Sequence, residues 1–400
     1  MKYPKIYLAL DNCFALKRWV EPETWLPLIK DLGYTSIQAS YDNEFDMLYN
    51  TKEYIDSWLE RLTAAEKQYG AKVQSFYSGY QTYRTSGLAH PDRRVVNSIV
   101  EGWIKPAVKI AGERNADMGF ALHGIPENIM QDPEKYRECH EKLYRIYSDI
   151  GEYARKNGQV HVCVEAMYSP HHTPWTIEGT KEFLKNIYSL DGNAIYTTVD
   201  IGHMTGQRKF RKPEKEAIEK SLFDHPIKGY CSLWLGSDSA YAIWDDAAAG
   251  KLDKKQAVIN ILEEMKKYSY QFSIDERDSD LYAWVEELAC YSPIMHIQQT
   301  DGITSPHSPF TKKNNEKGIV EGKKLLEAIA ASYEKEEKGM PPKTDKIVMA
   351  LELFASNTEH PHEIKNNMRE TREYWKQYIP EDGIRLDQLF VPTLSLCCFW

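Results

Sequence analysis

Residues 160–204 decide the fold, through VHVCVEAMYS (160–169), TIEGTKEFLKNIYSL (176–190) and AIYTTVDIGHM (194–204). The first and last runs are short, apolar and β-prone, as strands buried on both faces are. The run between them has helical spacing. A strand–helix–strand unit of this length implies two parallel strands joined by a crossover helix. Each strand also ends in an acid, Glu165 and Asp200. A strand tip rarely carries a carboxylate unless something binds it.

The same alternation extends in both directions. Upstream lie the strands KIYLALDNC (5–13), YTSIQAS (34–40), AKVQSFYSG (71–79) and DMGFALHG (117–124). The helical stretches 21–33, 51–70, 91–116 and 133–158 follow them in turn, two closing on Gly33 and Gly70 as helix stops. Downstream come the strand PIMHIQQTDG (293–302), a helix over 315–339, the strand KIVMALELFAS (346–356) and a helix over 363–379. The pattern breaks between Gly206 and Tyr291, far more chain than one helix needs. That stretch holds a basic run (206–215), an aromatic run (229–244) and helical segments at 254–272 and 279–291. The last of these is taken as the true sixth helix. Eight strand–helix units predict a (β/α)8 barrel over residues 1–380, with 207–275 inserted between strands six and seven and a tail at 381–400. A doubly wound open sheet is the alternative. No G-x-G-x-x-G or GxxxxGK[ST] follows the first strand, which removes the usual dinucleotide and P-loop readings.

Composition narrows the function classes. With 42% hydrophobic and 27% charged residues in 400, the chain has ordinary globular balance. A net charge of −9 and no long basic block argue against nucleic acid as a main partner. A phosphorylated small molecule needs only a few local cations, such as Arg208, Lys209 and Arg211, although a solvated basic loop is the blander reading. The 26 Tyr and 10 Trp read first as core and subunit-interface packing, so a homo-oligomer is expected. The seven cysteines form no CxxC pair and suit a reducing compartment. No apolar run is long enough to span a bilayer, and the first residues lack signal-peptide character. A cytoplasmic location is the expectation.

Four strand ends carry the chemistry: Glu165, Asp200, His296 and Glu352, on strands five to eight. All eight strand C-termini of a barrel open onto one face, and neighbouring strands lie about 4.8 Å apart. Three carboxylates and an imidazole there form a donor set for a hard divalent ion. A single strand-end Glu is more often solvated, and a lone His is often a satisfied core residue. Four on consecutive strands, each preceded by apolar positions, are harder to explain that way. His203, His123, Gln298 and His307 reach the same mouth and are candidate substrate contacts; the alternative for His203 is a structural hydrogen bond to the strand end, and for His123 a loop histidine. Tyr168 and Trp175 read as packing.

Those motifs resemble the xylose isomerase-like superfamily of sugar isomerases and epimerases, in the branch holding ketose 3-epimerases, hydroxypyruvate isomerase and inosose dehydratase. The resembling positions are Glu165, the DIGH of Asp200 and His203, His296, and the ALELF around Glu352. The resemblance implies one divalent ion held by Glu165, Asp200, His296 and Glu352. Mn²⁺ is the first expectation, with Mg²⁺, Co²⁺ or Zn²⁺ as alternatives. It also implies proton transfer by Glu165 and Glu352 through an enediolate. The expected activity is isomerisation or epimerisation of a small carbohydrate or sugar phosphate. This chain departs from the branch beyond His296, where QQTDGITSPH replaces an expected arginine; Gln298 or His307 is the candidate substitute. A metal-dependent dehydratase or lyase shares the first step. A non-catalytic sugar-binding barrel is the alternative of another class. A phosphodiesterase of the endonuclease IV type would need more metal ligands and a basic groove.

Overall fold

The computed structural model describes residues 3–43, 45–78, 85–121, 124–224 and 226–390. Eight parallel strands run in sequence order: β1 (Lys5–Asp11), β2 (Ser36–Ser40), β3 (Lys72–Ser78), β4 (Asp117–Phe120), β5 (Val162–Glu165), β6 (Tyr196–Asp200), β7 (Ile294–Ile297) and β8 (Lys346–Leu351). β8 returns to pair with β1, and β1 pairs with β2, so the sheet closes into a (β/α)8 barrel. The closure is staggered: β1 meets β8 along Lys5–Leu10 but meets β2 only along Ala9–Asp11. The lower part of β1 is instead covered by a short antiparallel strand, β9 (Ile384–Arg385), through Lys5 and Ile6.

The deciding stretch folds as its pattern predicts. The helix Ile177–Asp191 starts where Thr176 Oγ1 accepts from the Gly179 N–H at 3.0 Å. It stops at Gly192, whose φ of 68° suits glycine at a helix C-terminus. Its Ile177, Phe183, Leu184 and Ile187 bury against the sheet as one apolar face. Two other helices differ from expectation. The third is not one regular helix: Arg93–Ile99 widens into a π turn at Val100–Ile104 before Lys105–Glu113. Pro106 has no N–H and its ring crowds the carbonyl four residues back, which a wider turn relieves. The helix expected over 315–339 begins only at Gly322 and runs to Glu334. Gln299 accounts for the shortening: its Oε1 accepts from the Val320 N–H, and its side chain occupies the space a Cβ on Gly318 would need.

The residues between strands six and seven build three helices, Lys215–Phe223, Asp238–Ala248 and Lys254–Lys267, around their own apolar cluster of Ile218, Leu222, Trp244, Val258, Ile261 and Met265. The chain leaves and re-enters through a narrow neck. There the Ser273 N–H donates to Phe210 C=O, and the Lys212 N–H donates to Ser273 C=O, both at 3.0 Å. The helices seat on the loop after β4 through Tyr270 and Gln271, whose side chains donate to Met130 C=O. Leu281–Leu288 follows as the sixth barrel helix, packed on the helix Gly322–Glu334. Among the described residues no helix is long and apolar enough to cross a membrane.

Candidate metal centre

Strand register explains why four distant residues meet. Asp200 on β6 lies beside His296 on β7, and His296 lies beside Ala350 on β8. Glu165 on β5 lies beside Thr198, two residues before Asp200. Glu352 follows Ala350 by two. Residues two apart on a strand share a face, and register partners in a parallel pair do too. One inward orientation therefore fixes all four. Their ligand atoms lie within 4.8 Å of one another, and the residues are 4%, 0%, 0% and 8% exposed in the order Glu165, Asp200, His296 and Glu352.

The donors are packed but not satisfied. His296 Nδ1 faces Glu352 Oε2 at 3.1 Å and Glu165 Oε1 at 3.4 Å, yet makes no hydrogen bond of sound geometry among the described residues. Burial alone would depress the imidazole pKa, but the Glu352 and Glu165 carboxylates outweigh it and hold the ring well above its usual range. Burial acts the other way on Glu352, and the His296 and His307 rings override it, keeping that carboxyl well below its usual value. A buried nitrogen without a partner, aimed between carboxylate oxygens, fits a divalent cation. The cluster could hold one metal ion.

The surrounding residues brace this set. Asp200 Oδ1 accepts from the N–H groups of Gly202 (2.7 Å) and His203 (3.2 Å), so the Asp-x-x-His spacing folds the imidazole back over its own acid. His203 Nε2 then lies 3.7 Å from Asp200 Oδ2, and its Nδ1 lies 3.6 Å from Glu165 Oε1. Gln298 takes a different place from the expected substrate contact. Its Nε2 donates to Asp200 Oδ1 at 2.8 Å, and its Oε1 accepts from the His307 N–H at 2.7 Å. A Cβ on Gly202 would come within 2.4 Å of that amide, so glycine is required for the approach. Held this way, His307 adopts a φ of 50°, uncommon for a side chain with a Cβ, and stacks on Phe354 at 4.0 Å. Its Nδ1 reaches to 3.2 Å from Glu352 Oε2, and burial is again outweighed by that carboxylate, raising the His307 pKa to about 9.

A cavity of about 500 Å³ opens onto Glu165, His203, His307 and Glu352. Tyr168, Phe210, Ile303 and Phe354 supply its apolar walls, and Lys209 from the neck also lines it. Gln298 does not line it. His123, the other candidate contact, lies outside the described residues. Sequence reasoning missed Phe210 and Phe354 as walls. It also missed Tyr77, whose ring packs edge-on against His296 at 4.2 Å because Gly119 leaves room for it.

No family model matches the chain, and no curated protein matches it. Solved structures do. A protein from Rhodospirillum rubrum assigned as a xylose isomerase aligns over 93% of this chain and 98% of its own, at 17% identity and a TM-score of 0.64. The chain shares the fold of that barrel. D-psicose 3-epimerase from Clostridium cellulolyticum aligns over 92% of this chain and 97% of its own (11% identity, TM-score 0.51). An L-ribulose 3-epimerase aligns over 92% and 93% (12% identity, TM-score 0.50). At these identities the likeness to the xylose isomerase-like barrels is one of architecture.

Proposed function

We propose that this chain is a divalent-metal-dependent sugar or sugar-phosphate isomerase or epimerase, built as one barrel over 1–380 with the 207–275 subdomain walling its mouth. The observation that carries the reading is the pair Glu165 and Glu352, two buried carboxylates that join the cluster and also line the cavity. Glu165, Asp200, His296 and Glu352 would hold the ion, Mn²⁺ by preference, since three oxygen donors and one nitrogen suit it. When bound, such an ion supplies Lewis-acid polarisation of a substrate carbonyl.

The chain's own residues do the rest. A carboxylate on one side of the substrate, Glu165 or Glu352, takes the proton from the carbon next to the carbonyl. The same group or its counterpart returns a proton, to the neighbouring carbon in isomerisation or to the opposite face in epimerisation. His203 and His307 line the cavity, where they would contact substrate oxygens, and His307 is the candidate substitute for the arginine of the resembling epimerases. The apolar walls limit water around the carbanionic species. The solved ketose 3-epimerases of the same fold support this class of substrate.

The test is a screen of tetroses to hexoses, free and phosphorylated, with Mn²⁺ in D₂O, read by NMR. Deuterium should enter at a carbon next to a carbonyl, with bound metal found by elemental analysis. A protein that holds metal and exchanges no substrate would sink the enzymatic reading. Loss of a hydroxyl after exchange would convert it to a dehydratase.

A further inference from the structure

β2 is buried at every position, and its centre holds a glutamine, Gln38, inside the barrel. Gln38 touches neither the cavity nor solvent. Its amide Nε2 lies 3.0 Å from His296 Nε2, on the side of the ring away from the carboxylates. The same Nε2 is hydrogen-bonded to Asp11 Oδ2, and Oε1 accepts from Ser75 Oγ at 3.0 Å. All four residues are buried.

The two ends of a primary amide are nearly equal in size and exchange places by a half-turn about the last side-chain bond, so either end can face the ring. With Nε2 toward the ring, Gln38 donates to a bare His296 Nε2. The ring hydrogen then sits on Nδ1 and points at Glu165 and Glu352, where an ion would be. With Oε1 toward the ring, Gln38 accepts from Nε2–H, and Nδ1 presents its lone pair to the carboxylate side. Only the second arrangement lets His296 ligate.

We infer that Gln38 is the positioning residue of the metal centre: its amide oxygen takes the Nε2–H of His296 and so makes Nδ1 the metal-facing nitrogen. This rests on the metal reading given above. The turned amide places oxygen beside oxygen at Asp11, which is satisfied when Asp11 is the protonated partner. Burial pushes the Asp11 carboxyl up from its usual range. Ser75 Oγ, which donates in one arrangement, accepts from the amide in the other. Tyr77 packs edge-on against the same ring, so the ring's own rotation is restricted and the choice of nitrogen falls to the amide.

Two variants separate this role from simple packing. Q38M keeps the volume and removes both donor and acceptor, whereas Q38E offers the ring an acceptor. Calorimetric titration with Mn²⁺ should show Q38M binding about 10- to 100-fold more weakly than wild type, the usual cost of losing the group that orients a ligating histidine. Q38E should stay within about tenfold of wild type. Metal-free Q38M should melt below wild type, because Asp11 and Ser75 lose their partner, so affinities are compared below both midpoints. Histidine ¹⁵N spectra of the wild-type protein loaded with diamagnetic Zn²⁺ should place the His296 proton on Nε2. Q38M binding as tightly as wild type, or a ring proton still on Nδ1 in the loaded wild type, overturns the inference. A wild-type chain that binds no divalent ion refutes the metal reading first, and the role of Gln38 falls with it. If both variants fail to fold, the wild-type spectrum alone decides.

Discussion

The two halves of the barrel mouth use their polar residues in different ways. On the β1–β4 side, side-chain oxygens fasten backbone N–H groups. Asp11 Oδ1 accepts from the Cys13 N–H at 2.7 Å, and Asn12 Oδ1 accepts from the Ser40 N–H at 2.7 Å. The Asn43 amide donates to Asn12 C=O at 3.3 Å. On the β5–β8 side His296 Nδ1 and His203 Nδ1 are buried with no hydrogen-bond partner among the described residues. Both nitrogens face carboxylates: His296 Nδ1 lies toward Glu352 and Glu165, and His203 Nδ1 toward Glu165. A divalent cation would complete that cluster. The first half fastens backbone; the second gathers ionisable groups around one point.

The contrast can be broken at several points, and the largest effect lies on the β5–β8 side. E352Q should lower turnover about 10²–10⁴-fold, the usual worth of a positioned proton-transfer group, while substrate still binds. Near-normal exchange of substrate hydrogen in D₂O by that variant would remove Glu352 from the chemistry. Chelation is the next test. Metal at 100 times its Kd should stabilise the fold by about 2.7 kcal/mol, and that gain should vanish with a chelator in a melting experiment. On the β1–β4 side, N12A leaves the Ser40 N–H without its acceptor. It should cost about 1–3 kcal/mol in denaturant unfolding. Metal affinity should be nearly unchanged, and a tenfold loss there would show that the halves are not separate.

The smallest effect is expected far from the mouth. Glu287 on the helix Leu281–Leu288 meets Lys181 (2.7 Å), Arg277 (2.6 Å) and Lys335 (2.6 Å). Burial would raise its pKa, but these cations override it and bring it down to about 2. A depressed carboxylate contributes stability that is complete above its unfolded pKa, about 4.3, and is lost as pH falls toward 2. E287Q should therefore cost about 1 kcal/mol at neutral pH. The gap to wild type should close on acidification between about pH 4 and 2, measured by urea unfolding. A gap independent of pH would mean that packing, not charge, joins these elements.

The barrel was legible because its signals are local and repeated. Runs such as 160–169 and 194–204 are bounded, apolar and separated by helical spacing, and register then follows from closure. Glu165, Asp200, His296 and Glu352 stood out because a charged residue at an apolar strand tip is costly to leave unexplained. What stayed hidden depends on contacts between distant segments. Gln38 sits in SIQAS, where a polar residue inside a fully buried strand was a usable signal, but nothing in the sequence joins it to His296, 258 residues away. Gln298 looked like a substrate group because it follows His296 on the same strand. Which way its amide reaches depends on the gap left by Gly202. His307 owes its position to a left-handed turn fastened by that amide, and turn handedness at a histidine has no reliable sequence mark. The π turn before Pro106 was readable in principle, since a proline inside a long helical pattern always demands an accommodation.

The clasp of β9 on the first strand bears on how the protein is made. β1 is made more than three hundred residues before its partner β8. Residues 384–385 must also emerge before Lys5 and Ile6 gain their last neighbours. Side-chain ties bring the same ends together, since Leu8 N–H donates to Asp382 Oδ1 at 2.9 Å. Until those segments emerge, β1 presents an open edge, the kind of surface that pairs with the wrong partner. For the nascent chain, the period of greatest exposure to aggregation lasts over the three hundred and more residues that separate the two sides of the seam, and it ends only when the seam shuts.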